Sequence, residues 1–278
     1  MSYVILCDSG TDLTPELKAK EEVVKVPLIL SLGDEHFVDN DSLDSLKFLE
    51  KMKKYPDTPK SACPSPEEYL KHFDKAEEVY IVTISSKLSA SYNSAKIALD
   101  MYSEENGKSR VHLIDSRGAA SSEMLIVNKL IELKEAGVDF DETVRLIEDF
   151  AVKKGTFFVL ESLENLKKNG RLTGVKAFIA EALNIKPVMA ADKDGNIIKI
   201  DQARGINKAC NILAEVAAKH AEETGGKSLV ISHCNCPERA EKIRDMMMEK
   251  HKFEKAEIVM TGGIATLYAA EGGIIIGC

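Results

Sequence analysis

Val79-Tyr80-Ile81-Val82-Thr83-Ile84 runs directly into Ser85-Ser86-Lys87-Leu88-Ser89-Ala90-Ser91-Tyr92-Asn93-Ser94-Ala95. The first six residues are β-branched, aromatic or apolar and predict a buried strand, while the pattern from Ala95 to Tyr102 predicts a helix. Strand, polar turn and helix in immediate succession form the unit of a layered α/β fold. The turn carries five serines in ten residues, Ser85, Ser86, Ser89, Ser91 and Ser94, more than the one hydroxyl that a helix cap uses. Free backbone N–H groups at a helix start, with hydroxyls beside them, suit a carboxylate or phosphate and require no catalytic base.

Outward from this unit, β-type runs alternate with amphipathic helical patterns. Strands are predicted at residues 3–7, 23–30, 111–114, 156–160, 185–191, 197–201, 228–232 and 257–261, and helices at 66–75, 122–136, 141–154, 177–183, 205–223 and 237–252. Asp194-Gly195 between two such runs is a hairpin signal. The expected architecture is α/β in two domains: residues 1–155, α/β/α layers around a mainly parallel sheet, and residues 156–278, a second α/β domain with mixed or antiparallel sheet.

Composition narrows the function. In 278 residues the chain is 44% hydrophobic and 29% charged, with a net charge of −8; this describes a globular protein and argues against a nucleic-acid partner, which selects a basic face. No apolar run reaches the ~18–20 residues that cross a bilayer, and the N-terminus lacks a basic region followed by a long apolar one, so a cytoplasmic protein without stable membrane insertion is expected. Six cysteines then imply reduced thiols. His233-Cys234-Asn235-Cys236 has no second ligand pair, so no metal and no cofactor are expected.

Three further segments share the chemistry of the serine turn. Asp8-Ser9-Gly10-Thr11-Asp12 follows the first strand, Lys60-Ser61-Ala62-Cys63-Pro64-Ser65-Pro66 precedes a helix, and Asp115-Ser116-Arg117-Gly118 follows a strand. Ligands in open α/β sheets bind at the carboxyl ends of strands, so these loops would converge on one pocket with Asp8, Ser9, Ser86 and Ser116 as candidates. Asp8 and Asp12 also suit a helix cap and a first-turn acid. Ser65 with Glu68 fits a capping box, which leaves Ser61 as the free hydroxyl. Gly170 suits the end of a helix on which Leu163 and Leu166 share a face, and Arg171 after it suits either a surface ion pair or a phosphate. Motifs for a serine nucleophile, a zinc protease or a P-loop are absent, so no catalytic residue is expected.

In this order the segments resemble the DegV family of bacterial fatty-acid-binding proteins. The resemblance rests on Asp8-Ser9-x-x-Asp12, Lys60-Ser61-x-x-Pro64-Ser65, Ile84-Ser85-Ser86-x-Leu88-Ser89-x-x-Tyr92-x-Ser94-Ala95, Asp115-Ser116, Leu163-x-x-Leu166-x-x-x-Gly170-Arg171-Leu172, Leu183-x-Ile185-Lys186-Pro187, and Arg204 with Lys208-Ala209. It implies an apolar tunnel for one long-chain fatty acid, its carboxylate held between the domains, and a non-catalytic subunit that presents the acid to a separate ATP-dependent fatty acid kinase. By the same resemblance Ser61, Ser89 and the amide of Ala90 would hold the carboxylate, and Arg171 would face the kinase or the phosphate. Tyr268-Ala269-Ala270-Glu271-Gly272 stands where the family has His-x-Gly-Pro-Gly, so Tyr268 replaces a histidine near the carboxylate and Glu271 would bring a negative charge close by. Tunnel-wall candidates are Phe157, Phe158, Phe178, Ile179, Ile185 and Met189. The alternative is a metal-dependent enzyme on a small phosphorylated or carboxylated metabolite, with Asp8 and Asp12 holding magnesium.

Overall fold

The computed structural model describes residues 2–104, 107–172 and 184–278. Its first half runs β1 (Tyr3–Asp8), α1 (Pro15–Lys18), β2 (Val23–Val26), β3 (Ile29–Leu32), β4 (Glu35–Val38), α2 (Ser45–Lys54), β5 (Lys60–Ala62), α3 (Pro66–Leu70), β6 (Glu78–Thr83), α4 (Ser91–Glu104), β7 (Arg110–Asp115), α5 (Ser121–Glu135) and α6 (Phe140–Lys153). The second half runs β8 (Thr156–Val159), α7 (Glu164–Lys168), β9 (Ile185–Ala191), β10 (Ile197–Arg204), α8 (Ile206–Thr224), β11 (Ser228–His233), α9 (Pro237–Lys250), β12 (Lys255–Met260), α10 (Gly263–Ala269) and β13 (Ile274–Gly277). The helix expected at 177–183, with Phe178 and Ile179, lies outside the described residues.

The serine turn sits where its sequence puts it, between β6 and α4. β6 is buried along its whole length, as a central strand covered on both faces must be, and a parallel sheet forms in the order β2-β1-β6-β7. A second sheet, β10-β9-β8-β13-β11-β12, is mixed: β11 and β12 are parallel and the remaining pairs antiparallel. Both agree with the expected α/β class. The single strand expected over 23–30 is instead two strands in different sheets. Pro27 stands between them with no N–H for a ladder; β2 joins the parallel sheet, and β3 pairs antiparallel with β4 and β5.

Five layers result. α3 and α4 cover one face of the parallel sheet through Val4, Leu6, Val79, Ile81, Ala95 and Ala98. α5 packs against β1 and β6 on one side and β11 and β13 on the other. Met124, Leu125, Ile126, Val127, Leu130 and Ile131 are accordingly buried, while Lys129, Glu132 and Glu135 give its second half a solvent edge. α8 and α9 close the outer face of the mixed sheet over Phe157, Val159, Ile231 and Ile276. Among the described residues no helix is long and apolar enough to cross a membrane.

The β9–β10 hairpin fastens the two halves. At its tip Asp192 accepts hydrogen bonds from the N–H groups of Asp194 and Asn196, both at 2.9 Å. Ser85 Oγ donates to Gly195 O at 2.9 Å, and Arg117 Nη1 donates to Lys193 O at 3.1 Å. Gly195 has φ +86°, and a Cβ there would stand 2.3 Å from Ser85 Oγ and 3.0 Å from Arg117 Cα. Gly195→Ala is expected to cost about 1–3 kcal/mol through left-handed backbone strain and the displaced Ser85 contact. A lower urea midpoint would register it; an unchanged midpoint would contradict the docking.

Candidate functional site

Side chains alternate along β8. Phe157 and Val159 enter the core under α8, while Thr156, Phe158 and Leu160 face the opposite way, into a cavity of about 730 Å3 with its open mouth included. Ala191, Ile197 and Ile275 continue this wall on the neighbouring strands. The facing wall comes from the carboxyl ends of parallel strands: Gly10 after β1, Ile84 and Leu88 after β6, and Gly118, Ala119 and Ala120 after β7. α10 contributes Ile264, Ala265, Tyr268 and Ala269, and Leu166 and Arg171 complete the rim. Loop convergence at the strand ends is as expected, but glycine, alanine and aliphatic side chains face the space.

Most of the hydroxyls turn away from it and hold the loops. Ser85 binds the hairpin tip, Ser9 Oγ accepts from Leu28 N at 3.0 Å, and Ser116 Oγ accepts from Gly118 N at 3.2 Å. Ser94 Oγ donates to Pro64 O at 2.6 Å, and Ser86 is exposed with its N–H on Asp115 Oδ1 at 3.2 Å. Ser89 Oγ lies 3.0 Å from Ser91 Oγ and accepts from Ser91 N at 3.1 Å at the start of α4, next to the exposed Ala90. Ser65 precedes α3 but makes no side-chain cap bond to it, so the expected capping box is not formed.

Polarity concentrates at the mouth. Ser61 Oγ and Tyr268 Oη are 3.3 Å apart although 207 residues separate them, and the Arg171 guanidinium lies 5.7 Å from the Tyr268 ring centroid. Arg171 Nε donates to Leu88 O at 3.1 Å, which joins the end of α7 to the serine turn. Gly170, with φ +77°, lets the chain leave α7 and bring Arg171 inward. Glu271, expected near a bound carboxylate, instead pairs with Lys53 at 2.9 Å and Asn235 at 2.8 Å.

Asp8 and Asp12 act on backbone rather than as helix caps. Asp8 accepts from Gly10 N at 2.9 Å and Ile84 N at 3.0 Å, which ties β1 to the serine turn; Asp12 accepts from Gly262 N at 2.7 Å. Thr14, not either aspartate, caps α1. Asp39 accepts from Gly263 N and Ile264 N, each at 2.9 Å. Asp12 and Asp39 thereby anchor the start of α10 and position Tyr268 one turn on. Burial pushes Asp8 and Asp12 up to about 6. Glu123, fully buried at the start of α5, accepts from Thr11 Oγ1 at 3.1 Å and Ala120 N at 3.2 Å. Burial and the charge of Asp8 raise it well above the carboxylate range. Among the described residues no group of three or more His, Cys, Asp or Glu side chains is arranged to hold a metal.

A profile described as "Uncharacterised protein, DegV family" matches residues 2–277. The chain belongs to the DegV family. A DegV domain-containing protein of Streptococcus gordonii is 36% identical over 279 residues, covering 100% of this chain and 99% of its own length. A DegV family protein of Ruminococcus gnavus, solved with vaccenic acid, superposes with TM-score 0.96 at 40% identity, over 99% of both chains. The Streptococcus pneumoniae fatty acid kinase (Fak) B3 protein, loaded with linoleic acid, gives 0.89 at 33% identity, over 100% of this chain and 99% of that one.

Glu123 carries no sequence signal of its own, because an acid in the first turn of any helix reads the same. Its environment nevertheless makes a pH dependence for this DegV protein. Asp8 and Glu123 both have folded values above their unfolded ones, so the native state retains protons that the unfolded chain releases. Their contribution is fully present at acid pH and declines as pH rises through about 6 for Asp8 and further for Glu123, by at most about 1.4 kcal/mol per pH unit per group. Glu123→Gln keeps an acceptor for Thr11 and cannot ionise. Its urea midpoints at about pH 5 and pH 8 are expected to lie closer together than those of the wild type; parallel midpoints would contradict the assignment.

Proposed function

We propose that this protein binds one long-chain fatty acid, with the acyl chain in the cavity along β8 and the carboxylate at the mouth, and presents it to a separate ATP-dependent fatty acid kinase. The observation that carries the reading is an apolar cavity lined by Tyr268 and Arg171, with Ser61 against the Tyr268 hydroxyl. Relatives across the whole fold carry vaccenic and linoleic acid, and one is named as a fatty acid kinase component. In this reading residues 1–155 and 156–278 are two domains of a cytoplasmic, non-enzymatic carrier, with the ligand between them.

Burial of each methylene contributes about 0.8 kcal/mol, so a sixteen-carbon chain supplies on the order of 10 kcal/mol before ordering costs, against about 1–3 kcal/mol for each head-group hydrogen bond. The chain therefore sets affinity and the mouth sets orientation. Ser61 and Tyr268 hydroxyls donate to the carboxylate, Arg171 adds positive charge beside it, and Ser89 with the Ala90 amide completes the holder after rotation of Ser89 away from Ser91. Tyr268 offers a phenolic hydroxyl where the family has an imidazole. Arg171, at the rim, faces the kinase or the phosphate being transferred.

Denaturing mass spectrometry of the purified protein is expected to release a stoichiometric fatty acid, or the delipidated protein to take up hexadecanoic acid. Absence of both would refute the reading. Ser61→Ala with Tyr268→Phe is expected to weaken uptake by about 1–3 kcal/mol without abolishing it, measured by displacement of a fluorescent fatty acid; unchanged affinity would remove these hydroxyls from the holder.

A further inference from the structure

Thr156 at the start of β8 is one of the residues lining the cavity. Leu160, near the rim, lies four residues further along the strand direction, about 13 Å at ~3.3 Å per residue. Behind Thr156 stands Lys154, whose Nζ is 3.5 Å from Thr156 Oγ1. The same Nζ is 3.2 Å from where a Cβ on Gly118 would be, and Gly118 belongs to the cavity wall. Lys154 also lines a second cleft, where Leu125, Leu133, Leu146 and Phe150 lie among charged residues such as Lys129 and Glu132. One side chain therefore stands between the two spaces, against Thr156 and Gly118 of the first and in the wall of the second.

Lys154 is held by packing. It is 9% exposed, and its Nζ reaches Thr156 Oγ1. Burial pushes its pKa down to about 8 against the opposing pull of Glu123 and Asp115. An amine in that position gains hydration by swinging toward the open cleft and loses only one long hydrogen bond. Such a side chain is readily displaced by an apolar ligand pressing from within.

We propose that Lys154 is the length gate of the acyl cavity: in place, it ends the cavity at Thr156, and displaced or shortened, it lets the tail of a very-long-chain fatty acid run into the second cleft. The inference rests on the fatty-acid reading above. Delipidated wild type, Lys154→Ala and Lys154→Met are compared for uptake of hexadecanoic and docosanoic acid, with circular dichroism to verify folding. Each added methylene that becomes buried multiplies affinity about fourfold. Lys154→Ala is therefore expected to raise the docosanoic-to-hexadecanoic affinity ratio by about tenfold or more, and Lys154→Met, which keeps most of the volume, to leave it within about twofold. An unchanged ratio in Lys154→Ala, with hexadecanoic uptake intact, would overturn the gate alone. An equal rise in Lys154→Met would overturn it too, since charge and not length would then be the cause. Failure of the wild type to take up hexadecanoic acid would overturn the fatty-acid reading and the gate with it.

Discussion

The structure depends on one helix whose first two turns are buried on all sides. α5 lies between the parallel and the mixed sheet and holds them a helix diameter, ~10 Å, apart. Along its length Leu125, Ile126, Leu130 and Ile131 fill that gap. In front of its N-terminus Ala119 and Ala120 face the cavity. The cavity is thus a consequence of where α5 begins. Glu123 occupies that beginning, where burial and the charge of Asp8 raise its pKa well above the carboxylate range.

The two ends of the cavity then have different chemistry for topological reasons. Its mouth lies where β5, α7 and α10 meet, three elements remote in sequence, and there Ser61, Arg171 and Tyr268 come together. In the proposed direction its inner end lies at the start of β8, where the chain has just left α6 and Lys154 is buried. Between them the wall is made by the period-two alternation of β8, which sends every second side chain into the cavity. A ligand with one polar head and a long apolar tail matches that polarity, whereas a compact polar metabolite would leave most of the wall unfilled and its own groups unpaired.

Features with a local cause were legible in the sequence. The strand, serine turn and helix at 79–102 were read from burial pattern and turn chemistry, and the hairpin from Asp194-Gly195. The exit of Arg171 from α7 likewise follows from Gly170. Features with a distant cause were not. β4, β5 and β13 are three or four residues long and depend on partners elsewhere, and Pro27 divides an apolar run that reads as one strand. The loops are local features of the sequence but the directions of their hydroxyls are not, because a serine side chain takes whichever partner the tertiary structure offers. Ser85 finds a carbonyl on the opposite half of the molecule and Ser94 one at Pro64. Of the loop serines that the resemblance singled out, Ser61 alone lies against Tyr268 in the present geometry.

The direction of the ligand is the central claim, and a crystal structure of the protein loaded with an ω-brominated fatty acid tests it most directly. The account predicts anomalous bromine signal beside Thr156, with the carboxylate within hydrogen-bonding distance of Ser61 or Tyr268. Bromine at the Arg171 rim with the carboxylate at Thr156, or lipid bound outside the cavity, would contradict it.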